Sequence, residues 1–165
     1  MKLRYIQLLV LGLALLVVPV SEAADTGFSA TLNNAQEVGV CPEGSPGTGF
    51  GAFVLNNAET ELTYHITFSG LLAPATAAHF HNAPAGVNGG VVRGLTNVSP
   101  IVGVWKNTDA SPLTPALVTE LKAGRLYINI HTQNCPGGEI RGQVLRDDSV
   151  PTENASWGRL KTIYR

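Results

Sequence analysis

The feature that most limits what this chain can fold into is a succession of short runs in which apolar and polar residues alternate. Each run is closed by Gly, Pro or Asn. The cleanest is Leu62-Thr63-Tyr64-His65-Ile66-Thr67-Phe68, whose Leu62, Tyr64, Ile66 and Phe68 share one face. Alternation of period two sends successive side chains to opposite faces of a strand, so such a run buries one side. Phe50-Gly51-Ala52-Phe53-Val54-Leu55 precedes it across Asn56-Asn57, and the two read as a hairpin. His65 falls opposite the hairpin's core face and is expected at the surface.

Further strands are expected at Phe28–Leu32, Thr76–His81, Val91-Val92, Ile101–Trp105, Arg125–His131 and Gly138–Leu145. One helix interrupts them. Thr114 suits its N-cap and Pro115 its first position, where a missing N–H costs nothing; Gly124 suits its end. The fold class expected is therefore all-β: a Greek-key antiparallel β-sandwich or barrel with one short helix.

Composition narrows the function classes. Charged residues make up 14% of the chain and the net charge is −1, with 18 Gly and 10 Pro. That balance excludes a coiled coil, and no basic excess exists to neutralise nucleic-acid phosphates. Lys2 and Arg4 precede the uncharged run Ile6 to Val20, and Ser21-Glu22-Ala23 offers small residues for cleavage. The expectation is a signal peptide over 1–23 and a secreted or periplasmic protein. The alternative, an uncleaved anchor, has an apolar run of about fifteen residues against the roughly 20 that span a bilayer. No transmembrane span is expected after cleavage. A single folded domain follows, over 28–146, and 147–165 is a polar and basic tail with Trp157 and Tyr164.

In an exported protein the two cysteines, Cys41 and Cys135, most simply form one disulfide, with free thiols or metal ligation as alternatives. Their neighbours, Pro42 and Pro136-Gly137, place both in loops.

The histidines carry the chemistry. His79 and His81 stand two apart, which puts both rings on one face of a strand, and His131 ends another strand in phase with Asn129. If the strands lie side by side, three imidazoles converge. Imidazole suits copper or zinc, and three ligands leave a coordination position open. Ligands of one ion would bring their rings within about 4 Å of one another. Such histidines also need their other ring nitrogen held, for which Glu37, Asn129 and Glu139 are the candidates. The alternative is that these rings only brace Gly- and Pro-rich loops. No nucleophile elbow or phosphate loop is present, since Gly86-Val87-Asn88-Gly89-Gly90 lacks a following Lys and helix, and pairing of the cysteines would leave no free thiolate.

Several separated stretches, in order, resemble the CHRD domain, named for chordin. They are Ala35-Gln36-Glu37-Val38, Ala77-Ala78-His79-Phe80-His81-Asn82-Ala83-Pro84, Leu126-Tyr127-Ile128-Asn129-Ile130-His131-Thr132 and Pro136-Gly137-Gly138-Glu139-Ile140-Arg141-Gly142-Gln143. The resemblance implies an exported domain of bacterial type, related to those of an extracellular growth-factor antagonist. The family pattern includes the His-x-His and Asn-x-His-Thr that fall on His79, His81 and His131. Their arrangement looks like the copper side of a Cu/Zn superoxide dismutase sandwich, without its zinc loop or bridging histidine. The readings that follow are a copper-binding (less suitably zinc-binding) domain, a metal-free extracellular protein-interaction or structural module, and a weak dismutase-like oxidoreductase. The partner is thus a metal ion or an extracellular protein, not nucleic acid, and no catalytic residue is assigned.

Overall fold

A computed structural model describes residues 24–39, 41 and 44–147. The signal-peptide reading at 1–23 and the tail beyond Asp147 lie outside the described residues. The strands are β1 Thr26–Asn33, β2 Thr48–Leu55, β3 Glu61–Ser69, β4 Ala75–Asn82, β5 Gly90–Leu95, β6 Ile101–Lys106, β7 Leu126–Thr132, β8 Ile140–Gln143 and β9 Leu145–Arg146. One helix, α1, spans Pro115–Lys122, and a single 3-10 turn, Asn34–Gln36, follows β1. All strand pairs are antiparallel, in the order β5-β4-β7-β8-β1-β2-β3-β6, with β9 on β1. The result is one nearly closed, barrel-like sheet. The β3–β4 and β6–β7 links cross it, as a Greek key requires.

The hairpin forms as the alternation predicts. Leu55 pairs with Leu62, Phe53 with Tyr64 and Gly51 with Ile66, and the apolar partners point inward. His65 is exposed. Inside the barrel Phe80 is the hub: its ring centroid lies 5.8 Å from Phe53, 5.8 Å from Tyr64 and 5.1 Å from Trp105. α1 adds Val118 and Leu121 to this core. Its Thr114 side chain accepts from the Leu117 N–H at 3.2 Å, and Gly124 turns the chain out with φ 67°.

Two expectations need correcting. The single last strand expected over Gly138–Leu145 is divided at Val144 into β8 and β9, which keep one register along β1 (Asn33 with Arg141, Ser29 with Leu145), while pairing with β7 ends where Val144 N–H bonds Leu126 O at the start of β7. The 3-10 turn was not foreseen; Asn33 caps it, its side chain accepting from Gln36 N–H at 3.1 Å.

β7 positions the site. All seven of its residues are buried. Leu126, Ile128 and Ile130 face the barrel core, while Tyr127, Asn129 and His131 face outward yet stay covered. The cover consists of the chain after β1, the Ala83–Gly89 loop and the turn after β7. This domain therefore carries a second, polar compartment on the outside of its barrel.

Candidate metal centre

Strand register assembles this compartment in rows. Directly opposite residues of an antiparallel pair share a face. One row runs Val91, His81, Tyr127, Gln143, and the next runs Gly94, His79, Asn129, Arg141, Asn33. His131 stands beside Ala77, one step further along β4. The three histidines foreseen from spacing therefore meet. Their candidate ligand atoms all lie within 4.8 Å of one another, so this group could hold a metal ion. The closest approach is 3.0 Å, from His79 Nδ1 to His131 Nε2. Ring centroids are 4.9 to 5.9 Å apart. Nitrogens bound to one tetrahedral ion at 2.0–2.1 Å sit about 3.3 Å apart, a value between the 3.0 Å of the closest pair and the 4.8 Å within which the whole group lies.

Two of the rings are fixed by backbone carbonyls. His81 Nδ1 lies 2.9 Å from Gly89 O and His131 Nδ1 lies 3.0 Å from Pro136 O. A carbonyl only accepts, so each Nδ1 carries the proton and each Nε2 presents a lone pair. His81 Nε2 is buried with no hydrogen-bond partner. Burial lowers the pKa of all three rings below 6.5, which keeps them neutral and ligand-ready near pH 7.

Tyr127 supports His81 twice over. The rings stack, with centroids 4.9 Å apart and planes 10° apart, and the Tyr127 hydroxyl accepts from Gly89 N–H at 3.1 Å. Arg141 covers the other side of Tyr127, its guanidinium carbon 3.5 Å from the ring centre. The guanidinium donates to Val87 O at 3.0 Å and Pro84 O at 3.1 Å, so it also pins the covering loop.

The residues expected to hold the outer ring nitrogens do other work. The Glu139 carboxylate, fully buried, accepts from Ser45 Oγ, Leu72 N–H and Thr132 Oγ1, each at 2.7 Å. It ties the loops at Ser45 and Leu72 to the end of β7, and none of these bonds is to a histidine nitrogen. Asn129 donates to Gly137 O and to Glu37 Oε2, each at 3.4 Å. Burial raises the Glu37 pKa to about 7, against the pull of Arg141 and the Asn129 hydrogen bond. Glu37 Oε1 and Asn129 Oδ1 are both buried and unpartnered. Reading the sequence alone missed Tyr127 and the two carbonyls; the in-phase position of Tyr127 with Asn129 and His131 was the available signal.

The sulfurs of Cys41 and Cys135 are at disulfide distance, with Cα atoms 5.0 Å apart across a sequence separation of 94. The pair fastens the segment after Glu37 to the turn that carries Pro136. Cys135 N–H and Cys135 O both bond Thr132, so this turn is stiff where it meets His131.

The CHRD domain family profile matches residues 28–144. The chain belongs to the CHRD domain family. The match covers every element described except β9 and the first two residues of β1, and it includes the three histidines, Tyr127 and Arg141. No curated protein matches the chain, and no solved structure matches it either. No helix among the described residues is long and apolar enough to cross a membrane.

Proposed function

We propose that this CHRD domain works outside the cytoplasm as a metal-binding domain, holding a copper-type ion through His79, His81 and His131. One observation carries the reading. Gly89 O and Pro136 O fix the tautomers of two rings so that unprotonated nitrogens converge, and one of them, His81 Nε2, is buried without a partner. Leaving a buried acceptor unsatisfied costs roughly 1–3 kcal/mol, which an ion would recover. An all-imidazole set suits copper, with zinc the next candidate. Export rests on the signal-like sequence at 1–23 and on the cysteine pair.

Titrating Cu(II) and Zn(II) into the metal-free protein tests this. Each His→Ala change should weaken binding by more than the roughly 10–100-fold that losing an outer partner costs. Unchanged affinity in all three variants would overturn the reading.

A second reading has an observation of its own. The 3.0 Å contact between His79 and His131 lets those two rings satisfy each other with no ion, as in a metal-free interaction module. Metal analysis of protein taken from its native compartment separates the two. A dismutase-like activity is tested by superoxide turnover of the copper-loaded protein against free copper.

A further inference from the structure

The three rings are enclosed to different degrees. His81 is 8% exposed against Tyr127, and His131 is 9% exposed beneath its turn. His79 is only half-buried. Its two neighbours in the row differ as well. Asn129, on the β7 side, is 2% exposed and closes that flank. On the β5 side stands Gly94, which is exposed, and a Cβ placed there would meet no atom within 4 Å. Gly90, at the start of the same strand, also has open space above it.

We infer that the ion's remaining coordination position opens over Gly94 and takes a monodentate anion. This rests on the metal reading above. The sign of the ligand follows from charge. Three neutral imidazoles leave a divalent ion with its full charge, and no carboxylate belongs to the ligand group. Arg141, two strands from His79 in the same row, adds a further positive charge. A tetrahedral ion held by three histidines keeps one position, so the ligand is monodentate, and the missing side chain at Gly94 leaves the approach to it unobstructed. Gly94 is thus a specificity-determining position that acts by having no side chain.

The test uses the copper-loaded wild-type protein with Gly94→Ala and Gly94→Leu, and azide as the probe. Open space above the Cβ lets both variants fold, which circular dichroism checks. Azide should add a charge-transfer band and alter the electron paramagnetic resonance spectrum of the wild type and of Gly94→Ala. Gly94→Leu should weaken azide binding by at least ~10-fold, a steric exclusion, while Cu(II) affinity is retained. In the metal-free protein, diethyl pyrocarbonate should modify His79 faster than His81 or His131, and Gly94→Leu should slow that reaction alone. Equal azide affinity in Gly94→Leu and wild type overturns the inference. So does copper uptake without any azide response, which leaves the metal reading standing. Failure of the wild type to take up copper overturns both.

Discussion

Glu37 Oε1 and both terminal atoms of the Asn129 amide crowd one small space. A Cβ on Gly138 would come within 2.7 Å of the first and 2.4 Å of each of the others. Two of these atoms are buried acceptors with no donor. One proton on the Glu37 carboxyl supplies a donor where two acceptors otherwise face each other, in keeping with a pKa raised from 4.5 to about 7. The sign of the resulting pH dependence is fixed. A carboxyl that holds its proton more tightly when folded contributes stability below pH 4.5, and that contribution is lost as the pH rises toward 7. Glu37→Gln mimics the neutral acid. It should match wild type in denaturant unfolding at pH 4.5 and exceed it by about 1 kcal/mol at pH 8, after discounting for partial exposure. At the same scale, Tyr127→Phe removes the hydroxyl that holds Gly89, and with it part of the hold on His81. Metal affinity in a titration should fall about 10-fold, the low end for an outer partner. The His-x-His spacing, with His131 in phase on its own strand, made the three-histidine group legible in the sequence. The carbonyls that orient them were not, because a backbone oxygen leaves no residue-type signature.

Among the elements, β1 to β7 and α1 were legible, β3 and β7 from clean alternation, α1 from its caps and the others from short apolar runs closed by turn residues. Thr114 is the simplest to test: Thr114→Ala should lower unfolding stability by about 1 kcal/mol, as measured by chemical denaturation. The last strand was misjudged for a physical reason. Alternation records which face a residue occupies, not which neighbour its backbone bonds. The run Ile140, Gly142, Val144 keeps its phase, and the chain its register on β1, while pairing with β7 stops because β7 begins at Leu126. β7 hid a different fact. Its outward residues Tyr127, Asn129 and His131 look like a solvated face, and only the loops folded over them show that both sides of this strand are covered.

For the whole molecule, two groups of residues pull stability in opposite directions with pH. The three histidines have pKa values lowered below 6.5 by burial, so the unfolded chain takes up protons first. Their contribution is present above pH 6.5 and is lost as the pH falls below it. Removing the cysteine bridge as Cys41→Ser with Cys135→Ser should cost about 4–5 kcal/mol on a chain-entropy basis, seen as a lower denaturation midpoint. The same change should also weaken metal binding, since Cys135 adjoins the residue whose carbonyl fixes His131.

That bridge also has a consequence in time. β2 through β7 and α1 lie between its two ends, which are 94 residues apart. A chain delivered from its N-terminus at about 5–20 residues per second presents Cys41 roughly 5–20 s before Cys135 arrives. Through that interval Cys41 is a lone thiol, open to the wrong partner. Once closed, the bond marks a chain whose strands from β2 to β7 have all arrived.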